Sequence, residues 1–531
     1  MLMRNKVKEV LGQLPLAAEL DWALRGADGS LAGMNLERMK TTLLPEWVGQ
    51  AAASPLRQQG GKRVFMFATL NYWIEQGMHT ALAAAGQGHQ VSFAYLPYSH
   101  WQQPVDKFDL RRSELYTREA LAPAGELLEL VSLLSSGKAA LPAELTAAVD
   151  QVAVMDTQYT LQLEEVDKSN ALYQLRRERN RLAASTALEW LQRERPDVVL
   201  LPNGLILEFG AIFQVARYLD ISVVSYEFGE QRNRIWLAQD TPVMVQDTNA
   251  MWAARHDWPF SEEQRAKVHE LFDTRKRAGL FQNFYRQWQN VPSTGVAEAR
   301  AKLGLDERPV VLLAANVIGD SLTLGRATFS GDMSTWLRRT LAYFADKPEV
   351  QFILRVHPGE QGLDGPSVAD LVAETLPELP AHMRLVAAAD PINTYDLVAA
   401  ADLGLVYTTT VGMEMAMSGL PVVVVGQTHY RGKGFTLDPA NWDEYFALLD
   451  GQLAAGEAAR PRPEQVDQAW HYAYRFFFDY PQPYPWHLMH FWDNVGDYSL
   501  EQLFSAEGQA AYGRSFDYLL GETINWQVEK D

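Results

Sequence analysis

The sequence contains no cysteine. That excludes disulfides, thiol nucleophiles and cysteine-bound zinc, and it fits a reducing compartment. Positive charge is also scarce. Lys and Arg number 47 against 66 Asp and Glu, for a net charge of −19. A general nucleic-acid binder needs a basic surface for phosphate contacts, so no nucleic-acid partner is expected. A local basic pocket for a small anion stays compatible with this balance. No apolar run approaches the roughly 18 residues of a membrane-spanning helix. The opening stretch MLMRNKVKEVLGQLPLAAELDW scatters charges where a secretory signal would need an apolar core. The expectation is a cytoplasmic protein, associated with the inner face of a membrane at most peripherally, through partners or an aromatic tail.

What is present suits a large globular protein. Of 531 residues, 47% are hydrophobic and 21% charged, enough core for two or three domains. Residues 1–60 read as an N-terminal helical segment closed by the breaker QQGGK. RVFMFATL (63–70) reads as a strand, 74–85 as a helix and HQVSFAYLP (89–97) as a second strand, the start of a parallel sheet. Between about 100 and 190 the pattern turns helical, through LLELVSLL and the charged run at 160–194. This is read as a helical insertion. A coiled-coil arm is the competing reading, but the heptad is not sustained. The sheet resumes with DVVLLPNG (197–204), a helix over 207–218 and the strand ISVVSYEFGE (221–230). QRNRIW continues as loop, TPVMVQD (241–247) is a candidate strand, and VPSTG (291–295) is the expected hinge.

The second half alternates more cleanly. PVVLLAAN, VQFILRV, MRLVAA, DLGLVY and PVVVVG are five strands, with helices at 335–344, near 367–374, at 394–400 and in the short segment before PVVVVG. The predicted fold class is therefore α/β: two Rossmann-like, doubly wound units facing a cleft, with a helical insertion and a C-terminal helical tail. The expected boundaries are 61–294, 295–458 and an aromatic tail over 459–531. That tail contains AWHYAYRFFFDYPQPYPWHLMHFW (469–492), read either as packing across both units or as a sugar- or lipid-contacting surface.

Ligands of open α/β sheets bind beyond the carboxyl ends of the strands. In the second unit those ends carry Asn316, then His357-Pro358-Gly359-Glu360, then Thr408, Thr409, Thr410 and Gly412. The threonines open a short helix, whose free N–H groups and partial positive charge suit a phosphate. Ordinary helix capping by threonine is the bland alternative. Gly412 would let a ligand approach the backbone. Glu414, one turn in, is an acid among apolar neighbours; paired ribose hydroxyls would satisfy it, as would an arginine or a loop amide. His357 ends its strand at a proline and would face the same place, with Arg355 two residues earlier on the same side of the strand. Arg431 and Lys433 in HYRGKGFT could clamp phosphates at the cleft mouth, or simply belong to a solvated glycine loop.

Taken in order, RVHPGE, VYTTTVGMEMAMSGLPVVVVG and HYRGKGF resemble the donor-binding half of GT-B glycosyltransferases. They look most like the capsule polysaccharide biosynthesis family, which includes the capsule Kdo transferases. The similarity covers about 300–440 well, 60–100 and 195–245 loosely, and the insertion not at all. It implies a nucleotide-sugar donor, with His357 on its phosphate or base, Thr409, Thr410 and Gly412 on the phosphate, and Glu414 on the ribose. The acceptor would be a polysaccharide or lipid-linked glycan. The acceptor half should supply any general base, and Glu75, His79, Glu208 and Glu227 stand near its strand ends. Glu227 and His79 are the choices, each with a helix-face or loop role as the alternative. No Asp-x-Asp pair follows a strand where a metal-bridged diphosphate would need it, so metal-independent chemistry without a further cofactor is expected. The same fold also admits a nucleotide-sugar epimerase, a glycerophosphate transferase or a non-catalytic glycan- or nucleotide-binding scaffold. Oligomeric state is not readable from the sequence.

Overall fold

The computed structural model describes residues 8, 10–25, 33–229, 231–281, 291–362 and 365–528. Parts of the expected N-terminal helical segment and of the linker before VPSTG lie outside the described residues.

Two sheets organise the chain. The first holds β1 (Arg63–Thr69), β2 (Gln90–Leu96), β3 (Glu129–Ser132), β4 (Val198–Pro202), β5 (Val223–Glu227) and β6 (Arg234–Gln239). The second holds β7 (Val310–Ala314), β8 (Gln351–Arg355), β9 (Met383–Val386), β10 (Leu403–Val406) and β11 (Val422–Val424). A short β12 (Gln482–Pro483) returns to the edge of the first sheet. The orders are β12-β6-β5-β4-β1-β2-β3 and β11-β10-β7-β8-β9. Both are doubly wound, with the strand order reversing between β1 and β4 and between β7 and β10. This is the α/β arrangement that the alternation of elements predicts.

The second sheet is wholly parallel. Helices cover both of its faces, so its strands are continuous apolar runs rather than alternating ones. Val311, Leu313, Phe352 and Leu354 pack on the helix Met333–Ala345 through Trp336 and Leu337. Leu312, Ala314 and Ile353 pack on the opposite layer, with Met413 and Met415 of the helix Val411–Met417. That layer also takes Val268, Leu271 and Phe272 of the helix Glu262–Lys276, which precedes VPSTG in sequence.

The first sheet departs from expectation at its edges. LLELVSLL contributes the strand β3, not a helix. Four residues are too few to show a helical period, and they pair in parallel with β2. The strand after β5 is RIWLAQ, which pairs antiparallel with β5. TPVMVQD instead forms a single 3-10 turn over Val243–Val245. The rest of the insertion is helical, with helices Lys107–Leu121, Ala143–Leu161 and Ala171–Glu194.

The insertion reaches the second sheet. After the helix Ala143–Leu161 the chain turns, and the Glu164 carboxylate accepts the N–H groups of Met333 (2.9 Å) and Ser334 (3.1 Å). These are first-turn donors that the helix cannot satisfy itself. Gly319 sits against this turn with φ +69°, and a Cβ there would come within 2.6 Å of the Gln162 backbone. The aromatic tail crosses between the sheets in the other direction. Tyr472, Phe476 and Phe477 are buried with the second sheet, while Tyr484, Trp486 and Phe491 are buried with the first. Its rings are packing elements. Among the described residues no helix is long and apolar enough to cross a membrane.

Candidate active site

The carboxyl ends of the two sheets open into one cleft of about 510 Å³. That volume is in the range of small-molecule sites. A larger hollow of about 620 Å³ lies at the amino ends of β1 and β2, among Arg57, Arg63, His89 and Glu194. It carries none of the strand-end residues, and ligands of such sheets bind at the opposite end. The smaller cleft is therefore the candidate site.

The second sheet supplies one wall. Ala315 and Asn316 follow β7, His357 follows β8, and Thr409 and Thr410 follow β10; all line the cleft, as do Arg355 and Glu414. Asn316 ties two of these ends together, its Oδ1 accepting the Thr408 N–H at 3.2 Å. His357 Nδ1 accepts the Gly359 N–H at 3.0 Å. The neutral ring therefore carries its proton on Nε2, a donor. Thr410 stands at the helix N-terminus but makes no side-chain capping bond. Its side chain lines the cleft, so capping is not its role. Arg355 is buried, and its guanidinium donates to the Ala387 carbonyl, which fixes it in the cleft wall.

Glu414 has an arginine partner that the sequence reading did not identify. Arg275, from the helix Glu262–Lys276, donates to Glu414 Oε1 at 2.7 Å, and both side chains are 5% exposed. Both also line the cleft. Tyr395 lies beside the pair; its phenol is pushed well above its ordinary range, first by burial and then by the Glu414 charge. No local motif marks Arg275. It lies 139 residues from Glu414.

The first sheet supplies the facing wall with Asn203 and Glu227, backed by Phe228 and Trp236. Met155 and Tyr159 join it from the insertion, and Met489 from the tail. Glu227 ends β5. Its Oε1 accepts the Phe228 N–H at 3.1 Å and its Oε2 accepts Asn203 Nδ2 at 3.3 Å. Burial raises its pKa above the usual carboxylate range, and these two donors only partly offset that.

Four expected site residues lie elsewhere. His79 is two turns into the helix Asn71–Gly86, about 12 Å along its axis from the first residue at 1.5 Å per residue, where the helix runs back alongside the sheet away from the strand end. It is 1% exposed, with ring centroids 4.5 Å from Trp47 and 4.2 Å from Trp486. Burial pushes its pKa down to about 3. It cannot reach an acceptor in the cleft. Gly412 faces inward, where a Cβ would lie 2.4 Å from the Tyr430 hydroxyl and 2.7 Å from Val406. It is a packing glycine. Arg431 donates to the carbonyls of Val424 and Pro439 and so pins its own loop. Lys433 is buried and donates to Asn249. The HYRGKG loop therefore folds back on the sheet and leaves the cleft. Of the other acids considered as bases, Glu208 is buried beside Arg176 and Asp156. Glu75 is buried in the same helix as His79.

Residues 266–446 match the capsule polysaccharide biosynthesis protein family. The matched stretch begins in the helix that carries Arg275 and runs past the HYRGKG loop, so it contains the whole second wall. No curated protein matches the chain. Among solved structures, a β-Kdo 2,4 transferase, KpsC of Thermosulfurimonas dismutans, aligns at 16% identity and TM-score 0.35, covering 55% of this chain and 82% of its own. The UDP-GlcNAc 2-epimerase of Neisseria meningitidis, bound to UDP-GlcNAc, aligns at 12% identity and TM-score 0.24 over 78% of this chain and 100% of its own. The glycosyltransferase SsfS6 of Streptomyces sp. SF2575 aligns at 13% and 0.22, over 78% and 96%.

Proposed function

We propose that the chain is a glycosyltransferase that moves a sugar from a nucleotide-sugar donor to a capsular or other surface polysaccharide or glycolipid. The observation that carries this reading is the single cleft, with Glu227 on one wall and the His357, Thr409 and Thr410 cluster on the other. The second wall is the donor side. His357 Nε2–H and the two threonine hydroxyls supply neutral donors to phosphate, and the Arg275–Glu414 pair offers a carboxylate to ribose hydroxyls. Glu227 is the general base. A carboxylate with a raised pKa is a better proton acceptor once ionised, and it is placed to take the proton of an acceptor hydroxyl entering past Tyr159 and Met489.

A thermal-shift panel of CMP, CDP, UDP, GDP and ADP, without added metal, tests the donor side. A nucleotide at about a hundred times its Kd stabilises the native state by about 2.7 kcal/mol, a shift of roughly 2–3 °C for a chain of this length. The expected result is a selective shift with one base, reduced in His357→Ala. A CMP response points to a Kdo- or sialic-acid-type donor. Absence of any shift, with or without magnesium, removes the reading. Turnover of a nucleotide sugar without acceptor would favour an epimerase, and consumption of CDP-glycerol a phosphotransferase.

A further inference from the structure

We propose that Asn203 is a positioning residue for Glu227, fixed by its own backbone and loop so that its amide N–H holds the ionised carboxylate in place. This rests on the transferase reading of the cleft.

Asn203 follows β4 with φ +58°, in the left-handed region. Asparagine and aspartate tolerate that conformation far better than most residues. Its backbone N–H donates to the Tyr226 carbonyl at 2.9 Å, which clamps the turn to the residue before Glu227. Its side-chain Oδ1 accepts the Leu205 N–H at 3.1 Å. That bond settles which way the amide points. A flipped amide would set its NH2 against the Leu205 N–H and its oxygen against the carboxylate. With Oδ1 engaged by Leu205, Nδ2 is the atom facing Glu227 Oε2 at 3.3 Å. A donor to a carboxylate favours the charged form. Asn203 and the Phe228 N–H are the two groups that offset the burial of Glu227.

Other ionisable groups lie near Glu227 or across the cleft from it. Tyr72 and Tyr226 lie close enough for the Glu227 charge to raise their own pKa values, after burial. Tyr159 stands on the same side, and Arg275, Asp320, Arg355, His357, Tyr395 and Glu414 line the far wall. Asn203 reaches Glu227 with a side-chain hydrogen bond. The variants below change none of the others.

Asn203→Asp separates positioning from loop building. Aspartate keeps an oxygen for the Leu205 N–H and accepts the left-handed backbone, but it replaces the donor with a like charge beside Glu227. The expected result is a tenfold or larger fall in kcat/KM near neutral pH, with the acid limb moved up by about one pH unit and donor KM within about twofold. Asn203→Gly satisfies the backbone and removes the amide, and it should move the same limb by a smaller amount. A melting curve for each variant checks folding. An acid limb in Asn203→Asp equal to that of the wild type overturns the proposal. A second readout does not need turnover: carbon-13 carboxyl titration of glutamate-labelled protein, with the Glu227 signal identified by its loss in Glu227→Gln. That signal should titrate at higher pH in Asn203→Asp, and an unchanged midpoint also overturns the proposal. If the wild type turns over no nucleotide sugar, the transferase reading fails, and the carboxyl titration still decides the role of Asn203.

Discussion

The two walls of the cleft are built in different ways. The second wall is mostly local in sequence: His357 follows β8, Thr409 and Thr410 follow β10, and each strand end delivers its residues to one line. The first wall is assembled from distant pieces. Asn203 and Glu227 come from strand ends, Met155 and Tyr159 from the insertion, Trp236 from the antiparallel strand β6, and Met489 from the tail. A wall made of strand ends follows from the alternation of elements. A wall made of insertions and returns requires knowing how those segments pack.

The largest expected effect tests the part of the second wall that is not local. Arg275 and Glu414 are each 5% exposed and paired at 2.7 Å. Removing one partner leaves a buried charge without its counter-ion, a loss of about 3–5 kcal/mol. Arg275→Ala and Glu414→Ala should each lower the unfolding free energy obtained from urea titration by an amount of that order. The double replacement Arg275→Met with Glu414→Leu should cost clearly less than the sum of the single changes, because neither charge is then stranded. Additive losses would mean that the two side chains do not form one unit.

On the first wall, Glu227→Gln keeps the shape of the side chain and removes the base. Turnover should fall about 10²- to 10⁴-fold. The nucleotide-induced melting shift should persist, since Glu227 lies on the wall opposite the donor residues. Turnover within a few-fold of the wild type would take the base away from Glu227 and leave this wall without one.

How much of this was legible follows the same division. His357, Arg355, Thr409, Thr410 and Glu414 were readable as a group, because strand-end position is a direct consequence of apolar runs and their breakers. Arg431 and Lys433 were not. A basic loop after the last strand gives no sign of whether it turns outward or back, and the Arg431 guanidinium bonds to Val424 and Pro439 show that it turns back. Arg275 was invisible because its partner is a long way off in sequence. Glu227 was readable as the last residue of β5. β3 was missed because a short edge strand carries too little pattern, and β6 because RIWLAQ follows the loop residues QRN and is defined by its antiparallel pairing with β5. β3 has four residues, and its pairing with β2 is what defines it.

The effect that is smallest at neutral pH separates the two residues first considered as bases. His79 is held neutral by burial, with a pKa pushed down to about 3 from an ordinary 6.5. Between those values the unfolded chain binds the proton and the folded chain does not. This residue therefore contributes stability that is complete above about pH 6.5 and is lost as the pH falls toward 3, by about 1.4 kcal/mol per pH unit. Glu75, in the same helix, acts in the opposite sense. Burial raises it to about 8, so its contribution declines as the pH rises from 4.5 toward 8. The slope of the wild-type stability curve mixes the two, but the difference between wild type and His79→Phe isolates the histidine. That difference should grow on acidification below about pH 6.5 in favour of the phenylalanine variant, while turnover at neutral pH stays within about twofold. A variant whose stability tracks the wild type at every pH would show that His79 is not held neutral. A collapse of turnover with the fold intact would return it to the active site, and the first wall would then depend on a residue packed between Trp47 and Trp486 rather than on the strand end at Glu227.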